Sequence, residues 1–225
     1  GLYLKGLFLI IGLPFILIAV LAFFFQTFVN HKFIGFLLMI LYFISNFAFR
    51  GLHWEHNLYQ FAGTPSAPYS DMNGYGHYVK PVFWFTLYWT FASLILVVLI
   101  HLFRMRGSET SFRLRTRIAG QRFKTGAKFA IAIGIVGMLL TGAYIFYNTN
   151  ILNKYITQDK IEARQAEYEK KYKKYEKLAM PRITSVQANV DIYPENRSVK
   201  IRGTYQLENK HRENIDRIHL CINKD

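Results

Sequence analysis

The chain has 225 residues, of which 52% are apolar and 17% aromatic, and it carries a formal net charge of +14. A soluble core would spread its apolar residues at helical or strand period. Here they fall in uncharged blocks before Asn150 that are long enough to cross a bilayer, which excludes an ordinary soluble domain.

The first block runs over residues 6–30, a length suited to a tilted span, with Pro14 inside it. The second, 33–49, is short for a span; its Ser45 and Asn46 are expected to face protein, because unpaired polar groups in lipid are costly. Residues 50–80 form a polar loop rich in Gly, Pro, Asn, Ser and Tyr. A third span is predicted over 81–102, with Trp84, Tyr88 and Trp89 near its start, where an interfacial aromatic belt belongs.

Residues 103–128 form a basic loop. Positions 104–128 hold eight Arg or Lys against one acid, Glu109, and so supply +7 of the net charge. Lying between two apolar blocks, that charge reads as an orientation signal rather than a nucleic-acid footprint. Within it, Arg113, Arg115 and Arg117 alternate with apolar and small residues, a candidate interfacial helix against anionic lipid or a cytosolic partner, although an ordinary orientation-setting loop is the better reading. The fourth span is predicted over 129–147. Its small residues Ala130, Gly134, Gly137 and Thr141 share one helical face, which should pack closely on another helix. The positive-inside rule then places the basic loop in the cytoplasm, and the 50–80 loop and everything after the fourth span outside.

Residues 150–180 form a stalk dense in Lys, Glu, Gln, Ala and Tyr, expected to be helical and ended by Pro181. From 181 to 225 the apolar period becomes two. Strands are expected through Val186–Ile192, Val199–Leu207 and Ile218–Ile222, as the opening of an antiparallel all-β domain. The expected fold class is therefore membrane all-α, with four transmembrane helices, a helical stalk and the first strands of a β domain. The lone Cys221 has no partner in the chain for a disulfide, and the absence of an initiator Met suggests a fragment of something longer.

Few residues offer chemistry. His53, His56 and His77, with Glu55 and Asp71, are the only dense set of metal-type ligands, and a loop at the membrane surface with hydrogen-bonded or solvated imidazoles is the better account of them, since no second ligand pair has zinc spacing. Asp71, Asn73 and Tyr75 lie in a Gly-rich turn that is a candidate substrate-contacting loop or a folded cap. There is no Walker A sequence, no H-E-x-x-H and no arguable Ser/His/Asp set, so no catalytic residue and no cofactor site are assigned within the chain.

Two stretches carry a resemblance. The run Tyr69-Ser-Asp-Met-Asn-Gly-Tyr-Gly-His77, followed by the Trp- and Tyr-rich span, is similar to the permease part of bacterial ABC-type exporter permeases fused to an aminopeptidase. So is Ala166-Glu-Tyr-Glu-Lys-Lys-Tyr-Lys-Lys-Tyr-Glu176 leading into Val190-Asp-Ile-Tyr-Pro-Glu195. The resemblance implies a bacterial cytoplasmic membrane, a separate cytosolic ATPase subunit, and an external domain like the zinc enzymes of the aminopeptidase N type, acting on peptides. Zinc and the catalytic residues would lie in the enzyme half, outside this chain. The alternative is a transporter permease whose external β domain only binds substrate or partners.

Overall fold

In a computed structural model, residues 4–29, 31–104, 111–153, 155–196 and 198–219 are described, save the side chains of Lys5 and Arg50. The chain divides into two compact units, Gly1–Ile161 and Glu162–Asp225.

The first unit is helical. A π-helical segment, Lys5–Gly12, runs into α1, Leu13–Phe28. Pro14 falls in the first turn of α1, where its missing N–H is tolerated. A tight bend leads to α2, Lys32–Gly51. Two short 3-10 turns, Asn57–Tyr59 and Gly76–Tyr78, punctuate the following loop, and α3 occupies Val79–Phe103. The basic segment contains a helix, α4, Phe112–Arg122, before α5, Thr125–Phe146, which exits through a π-helical turn, Tyr147–Leu152. The segments Gly6–Phe28, Lys32–Phe49, Gly76–Phe103 and Thr125–Leu152 are each long and apolar enough to cross a membrane.

Much large apolar surface faces outward: Phe47 is 82% exposed and Leu140 68%. Thr86, Ser93, Thr141 and Gly134 are buried between the helices, beside apolar residues such as Leu17, Phe85 and Ile145. Outward-facing apolar side chains are expected where the solvent is hydrocarbon. The helices pack in the spatial order α2, α1, α3, α5, so α3 has a neighbour on both sides and α2 sits at the edge.

The α3–α5 contact uses the predicted small-residue face. A Cβ added at Gly137 would lie 2.5 Å from the Phe91 ring, and one at Gly134 would lie 2.6 Å from Ile95 and 3.2 Å from the Phe91 carbonyl. Trp84 stacks on Tyr144 at one end of this antiparallel pair. Val98 and Leu102 pack with Ala119, Ala127 and Ala130 at the other.

The 52–78 loop also reaches into the bundle. Tyr42 of α2 donates its hydroxyl to the Phe61 carbonyl at 2.6 Å, and the Trp89 indole of α3 donates to the Gly63 carbonyl at 3.0 Å. Between them Ala62 is buried with Leu17 and Trp89, at a φ of +59° that residues with a side chain rarely adopt. Gly63 is required here, since a Cβ would lie 2.5 Å from the Asn57 carbonyl.

The second unit holds most of α6, Gln158–Tyr172, a 3-10 turn, Lys173–Tyr175, and a hairpin of β1, Arg182–Tyr193, with β2, Ser198–Glu208. The strands are antiparallel, pairing Val190 with Ile201 and Ile192 with Val199, with a bulge between Ile183 and Ser185. The third expected strand does not form over its described part. Asn209 makes an Asx turn after β2, accepting from the His211 N–H at 2.9 Å and donating to the Glu213 carbonyl at 2.8 Å, and Ile218 lies in irregular chain. Stacking of His219 on Tyr175 draws this segment towards the 3-10 turn. Leu220 and Ile222 lie outside the described residues.

Candidate functional site

The two ends of the helical unit carry different chemistry. At one end the C-termini of α1 and α3 meet, since Phe28 packs on both Phe103 and Phe112. Helix C-termini leave carbonyls unpaired and carry partial negative charge. Arg115 on α4 answers both needs. It is only 4% exposed, and its guanidinium donates to the carbonyls of Thr27, Phe28 (3.1 Å) and Phe103 (3.3 Å). Arg122 adds a donor to the Leu102 carbonyl at 3.4 Å. Arg115 is therefore a clamp that joins three helices, not the surface contact expected from its neighbours. Arg113 and Arg117 are exposed and remain available to a partner.

At the other end lies the loop with the candidate metal ligands. His53 follows the C-terminus of α2 at a φ of +58°, with the Trp54 N–H returning to the Phe49 carbonyl at 2.9 Å. This left-handed step aims the His53 Nδ1 at the Asp159 carboxylate in the first turn of α6. Glu55 accepts from the Gln158 N–H at 3.4 Å, so two loop side chains meet the start of that helix. His56 turns the other way. Its Nδ1 accepts from the Leu58 N–H at 3.2 Å, and its ring packs against Tyr59, Phe85 and Tyr155. His77 is exposed and lies over Tyr78. The three histidines thus have separate partners, and among the described residues no three His, Cys, Asp or Glu side chains gather closely enough to hold a metal.

The Gly-rich turn closes on itself. The Ser70 N–H donates to the Gly74 carbonyl at 2.8 Å, and Gly74 and Gly76 take φ values of +61° and +45°. Asp71 and Asn73 are exposed, with the Asn73 amide against Gly76, where a Cβ would lie 2.6 Å from it. Tyr75 is half-buried, edge-on to Tyr69, with its hydroxyl over Gly6. Asp71 and Asn73 are thus presented outward while Tyr75 ties the turn to the first span.

Sequence reasoning missed Asp159, Gln158 and Tyr155 as partners of the loop, because they lie a hundred positions away. The one signal available in the sequence was an acid, Asp159, near the start of the stalk helix.

Burial lowers the His56 pKa below its usual 6.5, and raises that of Tyr155, which Glu55 and Tyr59 raise further. A histidine held below its unfolded value stabilises the fold above about 6.5 and loses that contribution as pH falls towards its folded value. Acidification from pH 7 to pH 5.5 should therefore lower the amide protection factors across Asn57–Gly63, once the slower intrinsic exchange at the lower pH is divided out. His56→Gln should flatten that dependence. Equal pH dependence in the variant would assign it to another group.

Compared with protein-family models, curated proteins and solved structures, the chain has no match.

Proposed function

We propose that the chain is the membrane-anchoring region of a bacterial exporter permease joined to an aminopeptidase N-like zinc enzyme, with its basic end in the cytoplasm. The observation that carries this reading is the segregation of charge. The arginine-rich helix seals one end of four apolar helices, while the polar loop and the start of α6 share the opposite end. Basic residues stay on the cytoplasmic side during insertion, so the polar loop, α6 and the hairpin emerge together. The Tyr69–His77 and Ala166–Glu195 resemblances supply the rest. Within this chain the function is anchoring, with a share of a transport path. Peptide cleavage and its zinc belong to the enzyme half.

A phosphatase reporter fused after Leu178 should be active in intact bacteria, and a cytosol-dependent reporter at the same site silent. The reverse pattern would remove the external enzyme from the proposal. Membranes holding the parent protein should release an amino-terminal chromophore from an aminoacyl anilide, stop on chelation and recover with zinc. No activity in well-folded preparations would leave a non-enzymatic binding module. Arg113→Gln with Arg117→Gln should release a co-purifying ATPase. Arg115 has no place in that test, since its role is structural.

A further inference from the structure

Beyond its first turn, α6 carries a pattern that a solvated stalk does not need. Ile161, Gln165, Tyr168, Tyr172, Tyr175 and Ala179 recur at alternating steps of four and three. Those are the a and d positions of a heptad repeat, the spacing of a helix that packs along a second helix. From Gln158 to Ala179 all seven a and d positions are uncharged, against twelve charged residues among the other fifteen.

The structure keeps this seam in line. Tyr168 and Tyr172 lie ring to ring at 4.7 Å, and Tyr175, in the 3-10 turn that follows the helix, comes next at 6.4 Å. Yet Ile161 is 45% exposed, Tyr168 50% and Tyr172 42%, so the chain does not bury its own stripe.

The charges beside the seam identify what covers it. The e positions are Glu162, Glu169 and Glu176, and the g positions are Arg164, Lys171 and Leu178. In two parallel copies each g residue faces the e residue five positions on in the other chain. Arg164 then meets the partner's Glu169 and Lys171 the partner's Glu176, twice over by symmetry. Antiparallel copies would set e against e and g against g, glutamate facing glutamate and base facing base. The pattern therefore accepts a parallel copy of itself and rejects the opposite orientation. Among the described residues, none of Arg164, Glu169, Lys171 and Glu176 forms an ion pair within its own chain. Insertion imposes the same choice, since copies inserted alike are related by an axis along the membrane normal, and helices that leave the bilayer together run parallel. Two heptads make a marginal pair in water, but anchoring in one membrane raises the effective concentration of the copies.

We propose that α6 is a dimerisation helix: it joins two copies of this chain as a parallel coiled coil along Ile161, Tyr168 and Tyr172, with Gln165 as the polar a residue that fixes register. This inference needs the chain to be anchored in a membrane and is independent of transport or peptidase activity.

The test is disulfide cross-linking of the full chain in isolated membranes, with Cys221→Ser as background. Copper phenanthroline, as oxidant, reaches both faces, so the result does not depend on which side α6 occupies. Gln165→Cys, on the seam, should give a dimer of twice the chain mass, whereas Lys170→Cys, on the outer face, should stay monomeric. Glu169→Lys with Glu176→Lys, added to Gln165→Cys, should cut cross-linking about fivefold, because four contacts turn from attraction to repulsion. Adding Arg164→Glu and Lys171→Glu should restore it, which a loss of folding cannot mimic. Equal cross-linking at positions 165 and 170 overturns the proposal. So does the absence of a dimer at Gln165→Cys, or a full charge exchange that fails to restore one. A cross-linked product of any other mass overturns it in favour of a different partner. If Gln165→Cys does not reach the membrane, Ile161→Cys decides by the same outcomes.

Discussion

Replacing Arg115 with alanine should lower the stability of the helical unit by about 3 kcal/mol, since a hydrogen bond from a charged donor is worth about 1.5–3 kcal/mol and three backbone carbonyls lose theirs together. The loss has two parts. Three carbonyls at the ends of α1 and α3 lose a charged donor, and nearby Phe28, Phe103 and Phe112 leave little room for water to replace it. In detergent the midpoint of thermal unfolding should fall by on the order of 10 °C. Arg115→Lys should recover only part, because a compact ammonium cannot span three acceptors as a guanidinium fork does. Arg113→Gln and Arg117→Gln, on exposed positions of the same helix, should each change stability by less than about 0.5 kcal/mol. If all three arginines prove equivalent, the clamp does not exist.

The second large effect should come from Gly137→Val. The new side chain would enter the Phe91 ring, and the neighbouring turn already brings Gly134 against Ile95 and the Phe91 carbonyl, so neither helix has room to yield. The pair must separate. Overpacking of this kind costs about 1–3 kcal/mol and more where backbone must move. In lipid the cost is sharper in consequence, since close backbone approach is what holds α3 to α5. A spin-label pair near Trp84 and Tyr144 should report a longer distance in the variant. Gly126→Ala makes a clean contrast: a Cβ there meets nothing within 4 Å, and alanine in the first turn of a helix should be neutral or mildly stabilising. An unchanged distance in Gly137→Val would show that α3 and α5 are held by something else.

The apolar blocks were legible because membrane solvent acts on composition, which needs no knowledge of neighbours. The small-residue face of α5 was legible for the same reason, since glycine at helical spacing has one main use in lipid. The helix α4 was legible only as the lesser of two readings, because its eleven residues are too polar to stand out and Arg115 ties it to other helices. The anchoring of the loop was not legible, because Ala62 and Gly63 are held by Tyr42 and Trp89, and the aromatic character of Trp89 had already been explained by the bilayer surface. The hairpin followed from alternation, while the strand expected at Ile218 does not form over its described part, since apolar spacing alone does not supply a pairing partner. His53 was noticed for its ring, but the backbone angle that aims it at Asp159 has no sequence signature outside glycine and asparagine.

The edge position of α2 has a physical consequence. Lys32–Phe49 gives 18 residues, about 27 Å of helix, against a hydrocarbon layer of about 30 Å. Its packing partner is α1, with most of its circumference facing hydrocarbon, so little protein shares the mismatch. Adjacent lipid must thin to meet it. A thicker membrane therefore strains this helix before any other, and the strain passes directly into His53 and the loop that starts at its end.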